Sequence, residues 1–211
     1  MYLNQSIKKY LDDLSSNSSI PGGGSVAALV SALCAGLVSM VANFTLGKEK
    51  YQNVESQIKE ILFVSEQIKK ESEELIDKDT EVYKEVSNAY QLPKTLIQEK
   101  QIRSDAIQNA LKKAIEVPLK ITNICFKLIE LNKQIVNIGN KNLISDVGVS
   151  ILLAEASLKS ALLNVEINLK GIKDIVFNEK IKKQIEEIDK KAEEIKNEVL
   201  KKIMIQIQRN I

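Results

Sequence analysis

Residues 25–47 contain no charged side chain, and most of the run is built from small residues. Ala27, Ser31, Ala35 and Ser39 recur at every fourth position, and Ala28, Ala32 and Gly36 form a second row beside them. On a helix, such rows are flat strips that other helices can approach closely. The run is also long enough for a membrane span. Ser31, Ser39, Asn43 and Thr45 interrupt it, however, and Trp and Tyr anchors are missing. The pattern predicts the central helix of a soluble bundle, packed on all sides, with no membrane partner.

The remaining chain favours helices too. It holds only 8 Gly and 3 Pro in 211 residues, and no segment sustains period-two alternation. Residues 2–14 read as a short amphipathic helix, and Ser25 is a candidate cap for the central one. A helix over 50–90 carries Ile58, Ile61, Ile68, Leu75, Ile76, Val82, Tyr83, Val86 and Tyr90 as its stripe, until Pro93 breaks the chain. Another spans 99–132, with a kink expected near Ala114 because Pro118 lies within it. Ser145 or Asp146 is placed to cap a helix over 147–171. From Asn178 onward, Ile181, Ile185, Ile188, Ala192, Ile195, Val199 and Ile203 mark a closing amphipathic helix. The expected fold is all-α, a single helical bundle of long helices forming one domain over 1–211.

Composition excludes several functions. Histidine is absent, which removes the commonest general base and metal ligand. Cys34 and Cys125 sit in apolar helical surroundings and read as buried thiols in a reducing compartment, so no metal site is expected. A net charge of +2, without a basic-aromatic cluster, gives no steer toward nucleic acid. The N-terminus lacks the apolar core of a signal peptide, and a cytoplasmic location is expected.

Four polar groups stand out. Gly22, Gly23 and Gly24 precede the central helix without the strand of a dinucleotide fingerprint or the Lys-Ser/Thr of a P-loop. They either expose backbone N–H groups to an anionic or carbonyl-bearing ligand, or simply provide a flexible approach to the helix. Asp79 falls on the same face as Ile76 and Tyr83, toward the core, whereas Asp77 is turned about 200° away and is expected in solvent. A carboxylate on an apolar face is either a general base or cation partner, or the mate of a neighbouring Lys or Asn. Asn164 and Asn168 share one face of an apolar helix, where they bond each other and nearby backbone or read a polar ligand edge. Asn140, Lys141, Asn142, Ser145 and Asp146 crowd a helix start, as ligand contacts or as ordinary turn chemistry.

In order, "PGGGSVAAL", "LIDKDTEVY", "LPK", "AIEVPL", "GNKNLISD" and "NVEINL" resemble the cyclodeaminase/cyclohydrolase family over most of the chain. The formiminotransferase domain found in some members has no counterpart in this sequence. The resemblance implies a helical bundle that forms a homodimer and acts on a tetrahydrofolate derivative without metal or other cofactor. It places the catalytic aspartate on Asp79, with Asp77 as the lesser choice. It assigns substrate binding to Pro21, Gly22, Gly23, Gly24 and Ser25, to Asn140, Lys141, Asn142, Ser145 and Asp146, and to Asn164 and Asn168. Glu166 departs from the motif, which carries an apolar residue there. The implied reaction is hydrolysis of 5,10-methenyltetrahydrofolate, or alternatively ring closure of the formimino derivative with release of ammonia. A different class of function, a non-catalytic bundle docking through its C-terminal helix, is told apart by testing for turnover.

Overall fold

The computed structural model describes residues 1–209, which contain seven α-helices and no strand. These are α1 (Ile7–Leu14), α2 (Gly23–Asn43), α3 (Glu55–Gln91), α4 (Ile97–Ala114), α5 (Glu116–Ile138), α6 (Ile144–Gly171) and α7 (Ile175–Arg209). Short 3-10 turns occupy Tyr2–Asn4, Glu49–Val54 and Lys141–Leu143.

The small residues of α2 let its neighbours touch its backbone. Ser157 Oγ of α6 donates to the Ala27 carbonyl at 2.7 Å, and Ser150 Oγ reaches the Cys34 carbonyl at 3.3 Å. On the side facing α3, the Ser39 and Ser65 hydroxyls are 2.8 Å apart. A bulky side chain at these crossings would hold the helices apart and strand those hydroxyls. Cys34 and Cys125 are fully buried, and desolvation pushes both thiols up to about 12. They behave as small hydrophobes rather than nucleophiles.

α2 is not packed on every side within the chain. The row from Ala27 to Ser39 is buried, but Ala32 and Gly36 are half-exposed and Leu33 is 54% exposed. Too few helices surround α2 to cover its full circumference. An open groove therefore runs along Leu29, Leu33 and Leu37 of α2, flanked by Leu153 of α6 and by Lys69, Glu73 and Ile76 of α3.

Several boundaries also differ from the sequence expectation. Residues 2–14 divide into a 3-10 turn and α1, because Ser6 Oγ accepts from Lys9 N and starts a new helix. Gly22, not Ser25, is the N-cap residue of α2. The kink expected near Ala114 is a one-residue interruption at Ile115 between α4 and α5, since Pro118 has no N–H to return to the Ala114 carbonyl. Neither Ser145 nor Asp146 caps α6, which begins at Ile144 directly after a 3-10 turn. The last helix begins at Ile175, where Asp174 Oδ1 accepts from Phe177 N.

Candidate functional site

The glycines shape the site by what they lack. Gly22 at the N-cap has no side chain with which to satisfy the first amides of α2. The Ser25 amide instead donates to Asp79 Oδ2 of α3 at 2.9 Å. A carboxylate from another helix thus takes the place of a local cap, at the positive end of the α2 dipole. Gly24 makes this possible, because a Cβ there would lie 2.6 Å from the Asp79 carboxyl carbon. The contact is too close for any other residue type without moving the carboxylate.

Asp79 opens onto a cleft of about 340 Å³ between α2, α3, the α4–α5 break and α6. That volume suits a small heterocycle. Val82, Tyr83 and Val86 extend the α3 wall, while Leu111, Ala114 and Pro118 form an apolar side. Asn164, Ile167 and Asn168 of α6 close the cleft. Burial pushes the Asp79 carboxyl above its ordinary range, and the Ser25 N–H pulls it part of the way back. A carboxylate held this way is a better base than one in water, and its charge is poorly screened.

The two asparagines bond backward along their own helix: Asn164 Nδ2 to the Ser160 carbonyl at 2.8 Å, and Asn168 Nδ2 to the Asn164 carbonyl at 2.9 Å. Their amide oxygens accept no hydrogen bond from the described residues and remain available to donors in the cleft. Asn164 also lies across from Gly23, whose added Cβ would sit 3.7 Å from its side chain.

The fold does not bring every candidate residue here. Pro21 is buried beneath the turn, and Gly22 shapes it. Ser25 is fully buried; its hydroxyl accepts from Tyr10 Oη at 3.1 Å, so it stands behind the cleft wall. The loop 139–146 lies at the far end of α2, about 30 Å away for a helix of that length. There, Asn140 N donates to Thr45 Oγ1 and Asn140 Nδ2 to the Phe44 carbonyl. Lys141 Nζ donates to the Val136 and Asn137 carbonyls at the end of α5, and burial together with Lys50 lowers its pKa. Asn142 N bonds Asn140 Oδ1. Ser145 is exposed and Asp146 half-exposed, both outside the cleft.

Asp77 is buried, not solvated as expected. Its Oδ1 accepts from Tyr2 N at 2.7 Å, because the N-terminal turn folds over that face of α3. Glu166 is exposed in a groove between α6 and α7, beside Lys170 and Lys182, and leaves the cleft wall unchanged. Sequence reasoning missed Tyr10, whose position beside Ser25 depends on a chain reversal with no periodic signal. It read Pro118 only as a kink, although the same residue also lines the cleft.

A sequence profile of the formiminotransferase-cyclodeaminase family matches residues 6–187. The chain is 44% identical to methenyltetrahydrofolate cyclohydrolase of Methylorubrum extorquens, over 87% of this chain and 88% of that protein. It is 32% identical to formimidoyltransferase-cyclodeaminase of Rattus norvegicus over 90% of its own length, which is 35% of the longer protein. The solved structure of formiminotetrahydrofolate cyclodeaminase from Thermotoga maritima superposes with a TM-score of 0.81 at 29% identity, covering 99% of this chain and 98% of that one.

Proposed function

The chain belongs to the formiminotransferase-cyclodeaminase family, and on that premise we propose that it hydrolyses 5,10-methenyltetrahydrofolate to 10-formyltetrahydrofolate in the cytoplasm. The observation that carries this reading is Asp79, a desolvated carboxylate held by a helix-start amide on the wall of a heterocycle-sized cleft. The methenyl bridge is an amidinium cation, and a poorly solvated carboxylate stabilises it. Asp79 takes a proton from water as the water oxygen bonds the bridge carbon, which gives a neutral tetrahedral adduct. The bond from that carbon to N5 then breaks. N5 receives the proton from Asp79, the adduct hydroxyl loses its own proton to solvent, and the formyl group remains on N10. The balance is one water consumed and one proton released.

The amide oxygens of Asn164 and Asn168 suit the N–H donors of a pterin edge, and Gly23 and Gly24 let the ring approach backbone. No cofactor besides the folate is needed. Loss of methenyltetrahydrofolate absorbance faster than its spontaneous hydrolysis tests the proposal; a rate equal to the spontaneous one refutes it.

The likeness to cyclodeaminases favours a second reading in the same cleft. N10 would attack the carbon of the protonated formimino group, its proton would pass to the departing nitrogen, and ammonia would leave the methenyl cation. Both reactions place a tetrahedral carbon between N5 and N10, so Asp79 serves either. Ammonia release from 5-formiminotetrahydrofolate distinguishes them.

Two copies of the chain are proposed to pair on the open face of α2 and α6. Leu33, Val149, Leu152, Leu163 and Ile167 are all exposed there. Self-pairing of one patch is the usual way to cover such a surface.

A further inference from the structure

We propose that Tyr10 is a positioning residue for the reaction: its buried hydroxyl holds Ser25 so that the Ser25 amide keeps the Asp79 carboxylate aimed into the cleft. The inference rests on the reading of Asp79 given above and adds a residue to it. Four contacts carry it. Tyr10, 6% exposed, donates to Ser25 Oγ at 3.1 Å, and Ser25 N donates to Asp79 Oδ2 at 2.9 Å. Tyr10 is itself fixed by Tyr2, whose ring meets it edge-on at 5.3 Å. Tyr2 in turn is tied to α3 by Asp77 Oδ1, two residues before Asp79.

The carboxylate needs such a support. Ser25 N is its one hydrogen-bond donor among the described residues, and Gly22, Gly23 and Gly24 make the preceding backbone the most permissive stretch of the chain. Without an anchor on Ser25, the first turn of α2 could shift while the rest of the helix stayed packed. The anchor comes from α1, so the N-terminal arm takes part in the site without touching the cleft. Asp77 of α3 is the fastening point of that arm, a role different from that of Asp79.

The test is Tyr10→Phe, which keeps the ring and its contact with Tyr2 and removes only the hydroxyl. A loosened Ser25 amide favours ionised Asp79 less, so the Asp79 pKa should rise further. The other ionisable groups near Asp79 are Asp77 and Tyr83 on α3 and Tyr10 on α1; α2, the α4–α5 break and α6 present none to it. Methenyltetrahydrofolate turnover should fall about tenfold in kcat with little change in KM. The acid limb of the pH–rate profile should move to higher pH while the melting temperature changes by only a few degrees. Ser25→Ala removes the acceptor of the same bond and should show the same limb shift; it carries the test if Tyr10→Phe does not fold. The double variant should be no worse than the more impaired single one.

A wild-type kcat and an unmoved acid limb in either folded variant overturn the positioning role. Asp79→Asn separates that failure from failure of the underlying reading. If Asp79→Asn is inactive while Tyr10→Phe is wild-type, only the positioning role falls. If Asp79→Asn is fully active, the reading of Asp79 falls and takes the positioning role with it.

Discussion

Asp79 combines two properties that pull in opposite directions. Ionised, it serves the reaction; buried, it costs the fold. Its folded pKa lies above the ordinary 3.8, with burial as the main cause. Its contribution to stability is therefore full below that ordinary value and is lost as pH rises through the raised folded pKa. Asp79→Asn should lower turnover at least about a hundredfold, the scale of a lost general base. It should also melt no lower than wild type at pH 7, and any gain in melting temperature should shrink as the pH is lowered toward 4. Thermal melts across pH, run beside the absorbance assay, check both halves. The glycines make a second residue-scale prediction. Gly24→Ala puts a methyl group into the Asp79 carboxylate and should remove activity with folding retained. Gly23 has room for a Cβ beside Asn164, so Gly23→Val should instead raise KM by crowding the cleft. Equal kcat losses in the two variants would show that the loop acts as one flexible unit.

Among the helices, α2 sets how closely the others approach. Ser150, Ser157 and Ser65 bond it at short range because Ala27, Ala35 and Ser39 leave space. Ala35 has no exposed surface, and Ala35→Leu should destabilise the bundle by about 1–3 kcal/mol through overpacking. A urea unfolding midpoint checks this, and an unchanged midpoint would mean that the core around α2 can yield. The α4–α5 break matters for a different reason. Leu111, Ala114 and Pro118 flank it on both sides. Across the one-residue interruption at Ile115, whose backbone stays helical, their i, i+3, i+7 spacing still keeps the three on one face, and they line the cleft.

At the scale of the whole molecule, the proposed pairing rests on an exposed apolar face. α2 and α6 are rich in leucine, valine and alanine, yet Leu33 is 54% exposed and Leu163 is 68% exposed. Light scattering at low micromolar concentration should report twice the 23.6 kDa chain mass. Leu33→Asp with Leu152→Asp should return it to one. An active wild-type monomer would show that the face tolerates water.

The local pattern of the chain was enough to determine which segments are helical, which face of α7 is buried, and that Asp79 belongs with apolar neighbours; on the α3 stripe, Ile58, Ile61, Ile68, Leu75, Ile76 and Val82 are buried, but Tyr83 and Tyr90 are exposed. Helix periodicity is a property of a few consecutive turns, so it can be read without knowing what lies across the core. The grouping of Gly23, Gly24, Asn164 and Asn168 around Asp79 depended on how α2, α3 and α6 pack. The burial of Asp77 followed from Tyr2, 75 residues earlier, and the hold on Asp79 from Ser25, 54 residues earlier. Separation of the 139–146 loop from the cleft came from the length of α2 running between them. Such contacts are made by chain reversals and helix crossings, which leave no periodic trace in the residues that meet. Only the tertiary structure could decide that one aspartate of the pair faces the cleft while the other fastens the N-terminal arm.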